Sequence, residues 1–228
     1  MLHNPPMLTL HRGHKRPPRA IIEAFRNAQT GHVCDAMDGR GAVDWRIKPL
    51  DPTNASFCGP ALTAHAYPAD TVGMFGALHE AEPGDVILVA CDGYTGTAVL
   101  GDLAAGMMKN KGVVGFVTDG LARDKAGIIA SGLPVFAMGV SPNSPARNGP
   151  GVVGLPIVLG GVHIRPGDIV VGDADSVVVV PVERAEEVLA ALAEVRAAEL
   201  IAEQSVRDGA TMTKGMLPII AAAKIVLG

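Results

Sequence analysis

The sequence predicts an α/β fold in which strands and helices alternate around a mixed sheet or barrel, without an internal linker. A Pro-Gly-Asp turn leads into a β-branched run twice, at residues 82–89 and 165–171, and such turns are typical of strand starts. Helix-forming runs at 71–79 and 103–111 lie between strand-like runs. The chain of 228 residues, 48% hydrophobic, is long enough for one good-sized core.

The other elements follow from apolar runs bounded by turn residues. Further helices are expected at 20–28, at 30–37 with Thr30 as its cap, and at 182–208. Strands are expected at 60–66, 86–89, 113–117, 134–138, 155–159, 169–171 and 177–180. These elements predict three parts of the chain. They are an irregular N-terminal arm at 1–19, the main domain at 20–209 and a helical C-terminal extension at 210–228.

Composition narrows the class of protein. The net charge of −4 gives no general footprint for nucleic acid. Three widely spaced cysteines argue against a disulfide framework and for a reducing compartment. The N-terminus has no apolar signal core, and no apolar run is long enough to span a membrane. We therefore expect a cytoplasmic protein that binds neither nucleic acid nor membrane.

Two polar loops flank one predicted helix–strand unit and form the candidate site. The first begins at Gly101-Asp102-Leu103, where a helix starts, and the second contains Arg123-Asp124 after a buried strand. Free N–H groups at a helix start attract an anion. An arginine fork binds a carboxylate, and aspartates hold a hard divalent cation. Together these groups suit the carboxylate of a small oxo acid and its metal.

Structural explanations for the same residues stay open. Asp102 and Asp124 each precede an apolar run, so each could be a plain helix N-cap. Arg123 could simply pair with a neighbouring acid. Other kinds of site find less support. His11 and His14 have metal-like spacing but lie in the N-terminal arm. No GxGxxG motif follows a strand, which disfavours a dinucleotide or methyl-donor site.

Glu199 interrupts the apolar face of the last long helix. At about 100° per residue, one stripe of that helix comprises Val188, Leu192, Val195, Ala202 and Val206. Glu199 falls in the middle of this stripe. Because glutamate is rarely buried without a partner, Glu199 is expected to face a cation, a buried site or a neighbouring subunit. The alternative is that the helix loses its apolar face after Val195.

An ordered series of motifs resembles the RraA-like family, which contains class II 4-hydroxy-4-methyl-2-oxoglutarate / 4-carboxy-4-hydroxy-2-oxoadipate aldolases and regulators of ribonuclease E activity. The series comprises Gly101-Asp102-Leu103, Gly112, Asp119-Gly120, Arg123-Asp124, Leu155-Pro156-Ile157, Gly160-Gly161, Pro166-Gly167-Asp168, Asp173-Ala174-Asp175 and Val180-Pro181. The similarity runs from about residue 20 to 209. Ser176 departs from the family pattern, which often has glycine there, and the arm through Arg19 is unmatched.

The resemblance implies a swivelling β/β/α domain with a β-barrel-like core and flanking helices. It also implies homotrimers or homohexamers with active sites between subunits. In this pattern Asp124 anchors Mg²⁺ or Mn²⁺, and Arg123 binds the pyruvate-like part of the substrate and steadies its enolate. The substrate carboxylate is held by the loop amides of Gly101, Asp102, Leu103 and Ala104. Asp102 contacts water on the metal, and Glu199, ten residues before Gly209, reaches in from the next subunit.

Two functions follow as hypotheses. The first is a divalent-metal-dependent pyruvate aldolase that cleaves a 4-hydroxy-2-oxo acid such as 4-hydroxy-4-methyl-2-oxoglutarate. Oxaloacetate decarboxylation is a further activity of this kind, because both reactions pass through a pyruvate enolate. The second is a non-catalytic regulator that binds ribonuclease E or another protein partner. The intact Arg123-Asp124 pair together with Glu199 favours the enzyme, because a pure binder has no need of the metal set.

Overall fold

The computed structural model describes residues 4–226 and has the mixed α/β architecture that the sequence predicts. Within that range the helices are α1 Arg19–Phe25, α2 Thr30–Asp35, α3 Val72–Glu80, α4 Asp102–Asn110, α5 Lys125–Ser131, α6 Ala185–Arg207 and α7 Leu217–Ala221. The strands are β1 Leu8–Leu10, β2 Lys48–Pro49, β3 Phe57–Ala66, β4 Val86–Ala90, β5 Ala98–Leu100, β6 Gly115–Thr118, β7 Leu121–Ala122, β8 Val135–Ala137, β9 Gly139–Val140, β10 Gly151–Val153, β11 Ile157–Leu159, β12 Val162–Ile164, β13 Ile169–Gly172 and β14 Val177–Val180.

The main sheet is organised around the long strand β3. The first half of β3 pairs antiparallel with β13, and its second half pairs parallel with β4. The strand order is β1-β10-β3-β4-β6-β8-β2, and β14 joins through β13. Buried side chains of these strands and of the β11–β12 hairpin, among them Phe57, Leu88, Phe136, Leu159 and Val170, form one apolar cluster. The strands therefore enclose a barrel-like core.

Helices cover this core through two further apolar clusters. Met74 of α3, Met108 of α4 and Ile128 of α5 pack in one cluster, together with side chains of β3 and β4. Phe25 of α1 and Leu192 of α6 pack in the other, together with side chains of β13 and β14. All five side chains are almost completely buried. The flanking helices expected from the resemblance are thus present and contribute their own apolar surface to the interior.

The N-terminal arm is not irregular throughout, which corrects the prediction for residues 1–19. Strand β1 lies in the arm and pairs in parallel with β10. Farther along, Arg12 Nε donates to Glu80 Oε2 at 2.7 Å and fixes the arm to the end of α3. A strand of three residues shows too little alternation to be recognised in the sequence. Residues 1–3 of the predicted arm lie outside the described residues.

The C-terminal end of the described chain exposes apolar side chains. The helix expected at 182–208 begins as a 3₁₀ turn at Val182–Arg184 and continues as α6, which is exposed beyond residue 196. Within 210–226 of the predicted helical extension only α7 is helical, and residues 227–228 lie outside the described part. The C-terminal apolar surface, as we call it, comprises Leu200, Ile201, Val206, Met212, Met216, Leu217, Ile219, Ile220, Ile225 and Val226.

The α6 stripe is therefore packed only at its start. Val188 and Leu192 are buried, whereas Ala202 and Val206 at the other end are exposed. The apolar sequence continues past Val195, so the helix does not simply become polar there. In the described range of 4–226, no helix combines the length and the hydropathy needed to cross a membrane.

The three cysteines differ in burial. Burial raises the pKa of the Cys58 thiol to about 12, and the pKa of Cys91 is raised to about 12 by burial and by the neighbouring Asp119. Cys34 is partly exposed. Because the thiolate is the reactive species, we expect a disulfide reagent at pH 8 to modify one thiol quickly in the native protein. It should modify all three after denaturation.

The control for this titration is Cys34→Ser, which should remove the fast phase and leave the slow phase unchanged. Two or three fast equivalents in the native protein would contradict the burial of Cys58 and Cys91 in this fold.

Candidate active site

The candidate site lies at the carboxyl ends of three short parallel strands. Strand β7 pairs in parallel with β5 on one side and with β9 on the other. Two backbone hydrogen bonds continue this sheet past the strand ends. The Arg123 N–H donates to the Leu100 carbonyl at 2.9 Å, and the Ser141 N–H donates to the Ala122 carbonyl at 2.8 Å. Ligands of α/β sheets bind outside such carboxyl ends, where three segments distant in sequence come together.

A cavity of about 170 Å³ opens at this edge. Its lining residues are Thr71, Met74, Phe75, Val99, Leu100, Gly101, Asp102, Leu103, Ala104, Arg123, Asp124, Ser144, Pro145 and Arg147. All the site residues expected from sequence are in this set except Glu199. The structure therefore brings the start of α4 and the loop before α5 into one cavity.

Arg123 and Asp124 form an ion pair on the wall of the cavity. Arg123 Nε donates to Asp124 Oδ2 at 2.8 Å, and its Nη1 donates to Ser144 Oγ. Asp124 occupies the N-cap position of α5 in a left-handed conformation, with φ 57° and ψ 43°, but its side chain makes no capping hydrogen bond. The carboxylate is thus directed to the arginine and not to the helix amides. Pairing with a neighbouring acid, one of the alternatives for Arg123, does occur here.

Asp102 is the first residue of α4, and Gly101 is the N-cap. Asp102 Oδ1 accepts a hydrogen bond from the Leu103 N–H at 2.7 Å. Its other oxygen lies over α5, where a Cβ at Gly127 would stand 2.5 Å from Oδ2. Because the first amides of a helix have no intrahelical acceptor, the segment from Gly101 to Ala104 presents N–H groups beside two carboxylates. This combination can bind both an anion and a cation.

Sequence reasoning missed the wall formed by α3 and the loop after β9. Thr71, the N-cap of α3, and Phe75 of α3 line the cavity together with Ser144 and Arg147 of that loop. The Arg147 guanidinium carbon lies 5.6 Å from the centre of the Phe75 ring. A polar loop rich in proline gives no pattern that separates Arg147 from an ordinary surface arginine, so only the fold could reveal it.

Two aspartates of the motif series are structural. The buried Asp119 accepts hydrogen bonds from the amides of Cys91 and Gly93 at 2.7 and 3.0 Å, and it does not line the cavity. Asp168 accepts from the Arg165 amide at 2.8 Å and closes its own turn, and burial raises the pKa of this carboxyl. Both carboxylates satisfy backbone donors at the ends of core strands.

The donor set fits a magnesium-type ion better than a metal held in a protein cage. Among residues 4–226, no group of three or more His, Cys, Asp or Glu side chains is arranged to hold a metal. Mg²⁺ is commonly bound by one or two carboxylates, with substrate oxygens and waters completing its shell. Asp102 and Asp124 both line the cavity, which is the number of carboxylates this mode requires.

Glu199 does not reach the cavity of its own chain. It is exposed on the second half of α6 and is not among the lining residues. The sequence-based role for Glu199 concerns the site of a second copy, and it stays a prediction.

The fold and the cavity define a mixed α/β protein with a small pocket, lined by charged side chains, at the carboxyl ends of short strands. Residues 30–179 match the family model described as RraA-like, Aldolase/RraA. The chain belongs to this family.

Similar proteins come from several bacteria. A relative from Halalkalibacterium halodurans named "Putative 4-hydroxy-4-methyl-2-oxoglutarate aldolase" is 37% identical over 197 residues, which cover 86% of this chain and 93% of the relative. An uncharacterized Pseudomonas syringae protein superposes with a TM-score of 0.76 at 27% identity, covering 87% of this chain and 97% of that one. Streptomyces coelicolor RraAS2, described as an unusual member of the RNase ES inhibitor RraA family, has a TM-score of 0.74 at 29% identity, covering 83% and 99%.

Gly127→Ala tests the position of Asp102. The new methyl group would meet Asp102 Oδ2 at 2.5 Å and Asp102 Cβ at 2.6 Å, so the carboxylate and the packing of α4 on α5 must both shift. We expect substrate turnover to fall at least about ten-fold, because small misplacements of a reacting group are costly. The melting temperature should fall as well, because Asp102 Cβ is attached to the α4 backbone and cannot rotate away.

The matched control is Gly106→Ala in α4, where a Cβ would meet no atom within 4 Å. This change should leave turnover intact and stabilise the helix by up to about 1 kcal/mol. Equal turnover for Gly127→Ala and wild type would show that the position of Asp102 is unimportant.

Proposed function

We propose that this protein is a divalent-metal-dependent pyruvate aldolase, acting on a 4-hydroxy-2-oxo acid such as 4-hydroxy-4-methyl-2-oxoglutarate. The observation that carries the proposal is the meeting of the Arg123–Asp124 pair with the amino end of α4 in one small cavity. A guanidinium, free helix amides and two carboxylates are the groups that a metal-assisted enolate reaction needs. The name of the H. halodurans relative supports the same reaction class.

The 2-oxo acid end of the substrate fits the start of α4. Its carboxylate would accept hydrogen bonds from amides of the segment Gly101–Ala104, where the helix dipole favours negative charge. The Leu103 amide is already engaged by Asp102, so the neighbouring amides are the available donors. The adjacent 2-oxo group then lies toward Arg123. This placement would orient the C3–C4 bond of the substrate for cleavage.

Retro-aldol cleavage moves one proton and one electron pair. The 4-hydroxyl group loses its proton, the C3–C4 bond breaks, and C4 becomes a carbonyl. The bonding pair passes to C3 and the 2-oxo group, which forms the enolate of pyruvate. A proton delivered to C3 then gives pyruvate and balances the proton lost from the 4-hydroxyl group. Arg123 is positioned to offset the negative charge on the enolate oxygen through its guanidinium. We assign Asp102, which no arginine engages, to take up the departing proton through an intervening water.

Asp124, with Asp102 nearby, would hold the divalent cation, Mg²⁺ or Mn²⁺. When bound, such an ion supplies Lewis-acid polarisation of the 2-oxo group. Because Asp124 also accepts a hydrogen bond from Arg123, the carboxylate is oriented before the ion arrives. Oxaloacetate decarboxylation would use the same enolate-stabilising groups and is proposed as a second activity.

A regulatory role is the second candidate, because the S. coelicolor relative is described as a member of an RNase ES inhibitor family. That role needs a partner-binding surface and no cavity chemistry. The two candidates therefore differ in whether the cavity carboxylates matter.

Pyruvate release is the direct test. The wild-type protein should release pyruvate from 4-hydroxy-4-methyl-2-oxoglutarate or oxaloacetate in the presence of Mg²⁺, and a chelator should abolish the release. Asp124→Ala should lower turnover by at least about 1,000-fold. The melting temperature should fall modestly, because alanine is strained at the left-handed φ of 57°, although no capping hydrogen bond is lost.

Asp175→Ala is the matched control, since Asp175 is exposed and lies outside the cavity lining. It should turn over substrate like wild type. Absence of pyruvate release from every 4-hydroxy-2-oxo acid tried, with metal present, would reject the aldolase and favour the regulatory candidate.

We further propose that the active oligomer is a homotrimer or homohexamer that covers the C-terminal apolar surface. Apolar side chains on the second half of α6 and on the tail are exposed in the described chain, and contiguous exposed patches of this kind mark association sites. Glu199 lies on the same exposed half of α6. If a neighbouring copy packs on this surface, Glu199 of the first chain would lie near the cavity of that neighbouring copy.

Subunit mixing tests this shared site. Asp124→Ala and Glu199→Gln should each be inactive alone. After subunit exchange, about a quarter of the interfaces in a cyclic oligomer would carry both wild-type residues, so activity should return to a similar fraction of wild type.

Glu203→Gln, one helical turn farther along α6, is the control and should stay active by itself. If exchange is demonstrated by mass and no activity returns, Glu199 does not complete the neighbouring site.

A further inference from the structure

A second contact, with Ser144, holds the guanidinium of Arg123. Arg123 Nε donates to Asp124 Oδ2 at 2.8 Å, and Arg123 Nη1 donates to Ser144 Oγ. The two acceptors belong to different segments, the loop before α5 and the loop after β9. Within the described residues, these contacts engage two of the five N–H donors of the guanidinium, so three remain for a ligand. A planar fork that is held at two of its nitrogens has a fixed direction.

The chain before Ser144 is fixed to the start of β5. The Asn143 side chain donates through Nδ2 to the Gly96 carbonyl at 2.9 Å. The Asn143 carbonyl accepts a hydrogen bond from the Ala98 amide at 3.0 Å. Both bonds tie the residue directly before Ser144 to the segment that leads into the small parallel sheet.

The chain after Ser144 is fixed to the start of α3. The Ala146 amide donates to the Ala69 carbonyl at 2.7 Å, and the Thr71 amide donates to the Ala146 carbonyl at 3.1 Å. Ser144 also precedes Pro145, and a following proline restricts a residue to extended backbone conformations. Although Ser144 is exposed, its backbone is thus held from both sides. The acceptor for Arg123 is in place before a ligand binds.

The pair that Ser144 supports lies against the amino end of α4. A Cβ added to Gly101, the N-cap of α4, would stand 2.9 Å from Asp124 Oδ2 and 3.4 Å from Arg123 Cγ. Under the proposed function, the substrate carboxylate binds to the amides at this helix start and the 2-oxo oxygen lies toward Arg123. That oxygen gains its negative charge only as the enolate forms. The direction of the guanidinium therefore matters more for the enolate than for the uncleaved substrate.

The chemistry of the acceptor suits this task. A serine hydroxyl is uncharged, so Ser144 orients the guanidinium without cancelling its positive charge. Asp124 already supplies the one carboxylate that pairs with Arg123 among the described residues. A second carboxylate in place of Ser144 would leave less positive charge for an enolate oxygen.

We propose that Ser144 is a positioning residue that directs Arg123 toward the enolate oxygen. The inference rests on the proposed function, because it takes Arg123 as the group that offsets the enolate charge. Ser144 acts through Arg123, and no bond of the substrate is made or broken by its hydroxyl group.

Binding of two small acids tests this role without turnover. Oxalate has the planar shape and the two negative charges of pyruvate enolate, whereas pyruvate carries one charge. Calorimetry in the presence of Mg²⁺ gives a dissociation constant for each acid. The wild-type protein should bind oxalate at least about ten-fold more tightly than pyruvate. Ser144→Ala should weaken oxalate binding about three- to ten-fold, the size of one hydrogen bond, and pyruvate binding less than about two-fold.

Two further variants separate positioning from a structural effect. Ser144→Thr keeps the hydroxyl group and should keep the preference for oxalate. Ser56→Ala is the matched control, because Ser56 is exposed and lies outside the cavity lining, and it should bind both acids like wild type. Because Ser144 is exposed, its replacement by alanine should leave the melting temperature nearly unchanged. Equal weakening of oxalate and pyruvate binding would overturn the positioning role.

The outcomes also separate this proposal from the aldolase proposal. Pyruvate release by the wild type, together with equal oxalate affinity in wild type and Ser144→Ala, would overturn the role of Ser144 and leave the aldolase standing. Selective loss of oxalate affinity in Ser144→Ala, in a protein that releases no pyruvate from any 4-hydroxy-2-oxo acid, would support the positioning of Arg123 and reject the aldolase. Equal affinity of the wild type for the two acids would overturn the role of Ser144.

Discussion

The hydrogen bond from the Arg123 amide to the Leu100 carbonyl is the constraint on which the geometry of the candidate site depends. It joins the residue after β7 to the last residue of β5 at 2.9 Å. The amino end of α4 and the Arg123–Asp124 pair are consequently neighbours, although more than twenty residues separate them in sequence. The left-handed backbone of Asp124 then turns the chain into α5 and directs its carboxylate to the arginine. Small changes in this strand pairing would separate all the charged groups at once.

Sequence patterns predicted the fold where runs were long and failed where they were short. The strand at Val177–Val180 and the helices α3 and α4 lie close to their expected bounds, since each is a sustained apolar run with clear turn residues. Strands β5, β7 and β9 have two or three residues each. Such strands carry no period, and only their pairing with one another defines them. The sheet that builds the site was therefore invisible in the sequence, although the residues at its ends were not.

The residues of the candidate site were likewise predicted from sequence only in part. Arg123 and Asp124 were found because a charged pair after a buried strand is an unusual local pattern. The neighbouring Arg147 was missed, because it joins the cavity lining beside Phe75, which is distant in sequence and meets it only in the fold. Glu199 was singled out by helical phase, and because a single chain leaves it exposed, its role stays a prediction. Residues whose role depends on a contact between distant segments escape any argument made from local spacing.

Strand β1 has a consequence for the order in which the fold is completed. Leu8 pairs with Gly151, so the two partners are separated by more than half of the chain. During synthesis β1 emerges well before β10 but cannot find its place until β10 has left the ribosome and joined β3. Contacts of such high sequence separation form late because their loop-closure entropy is large. Strand β1 is thus made early and folds late, and until then the outer edge of β10 stays open to other chains.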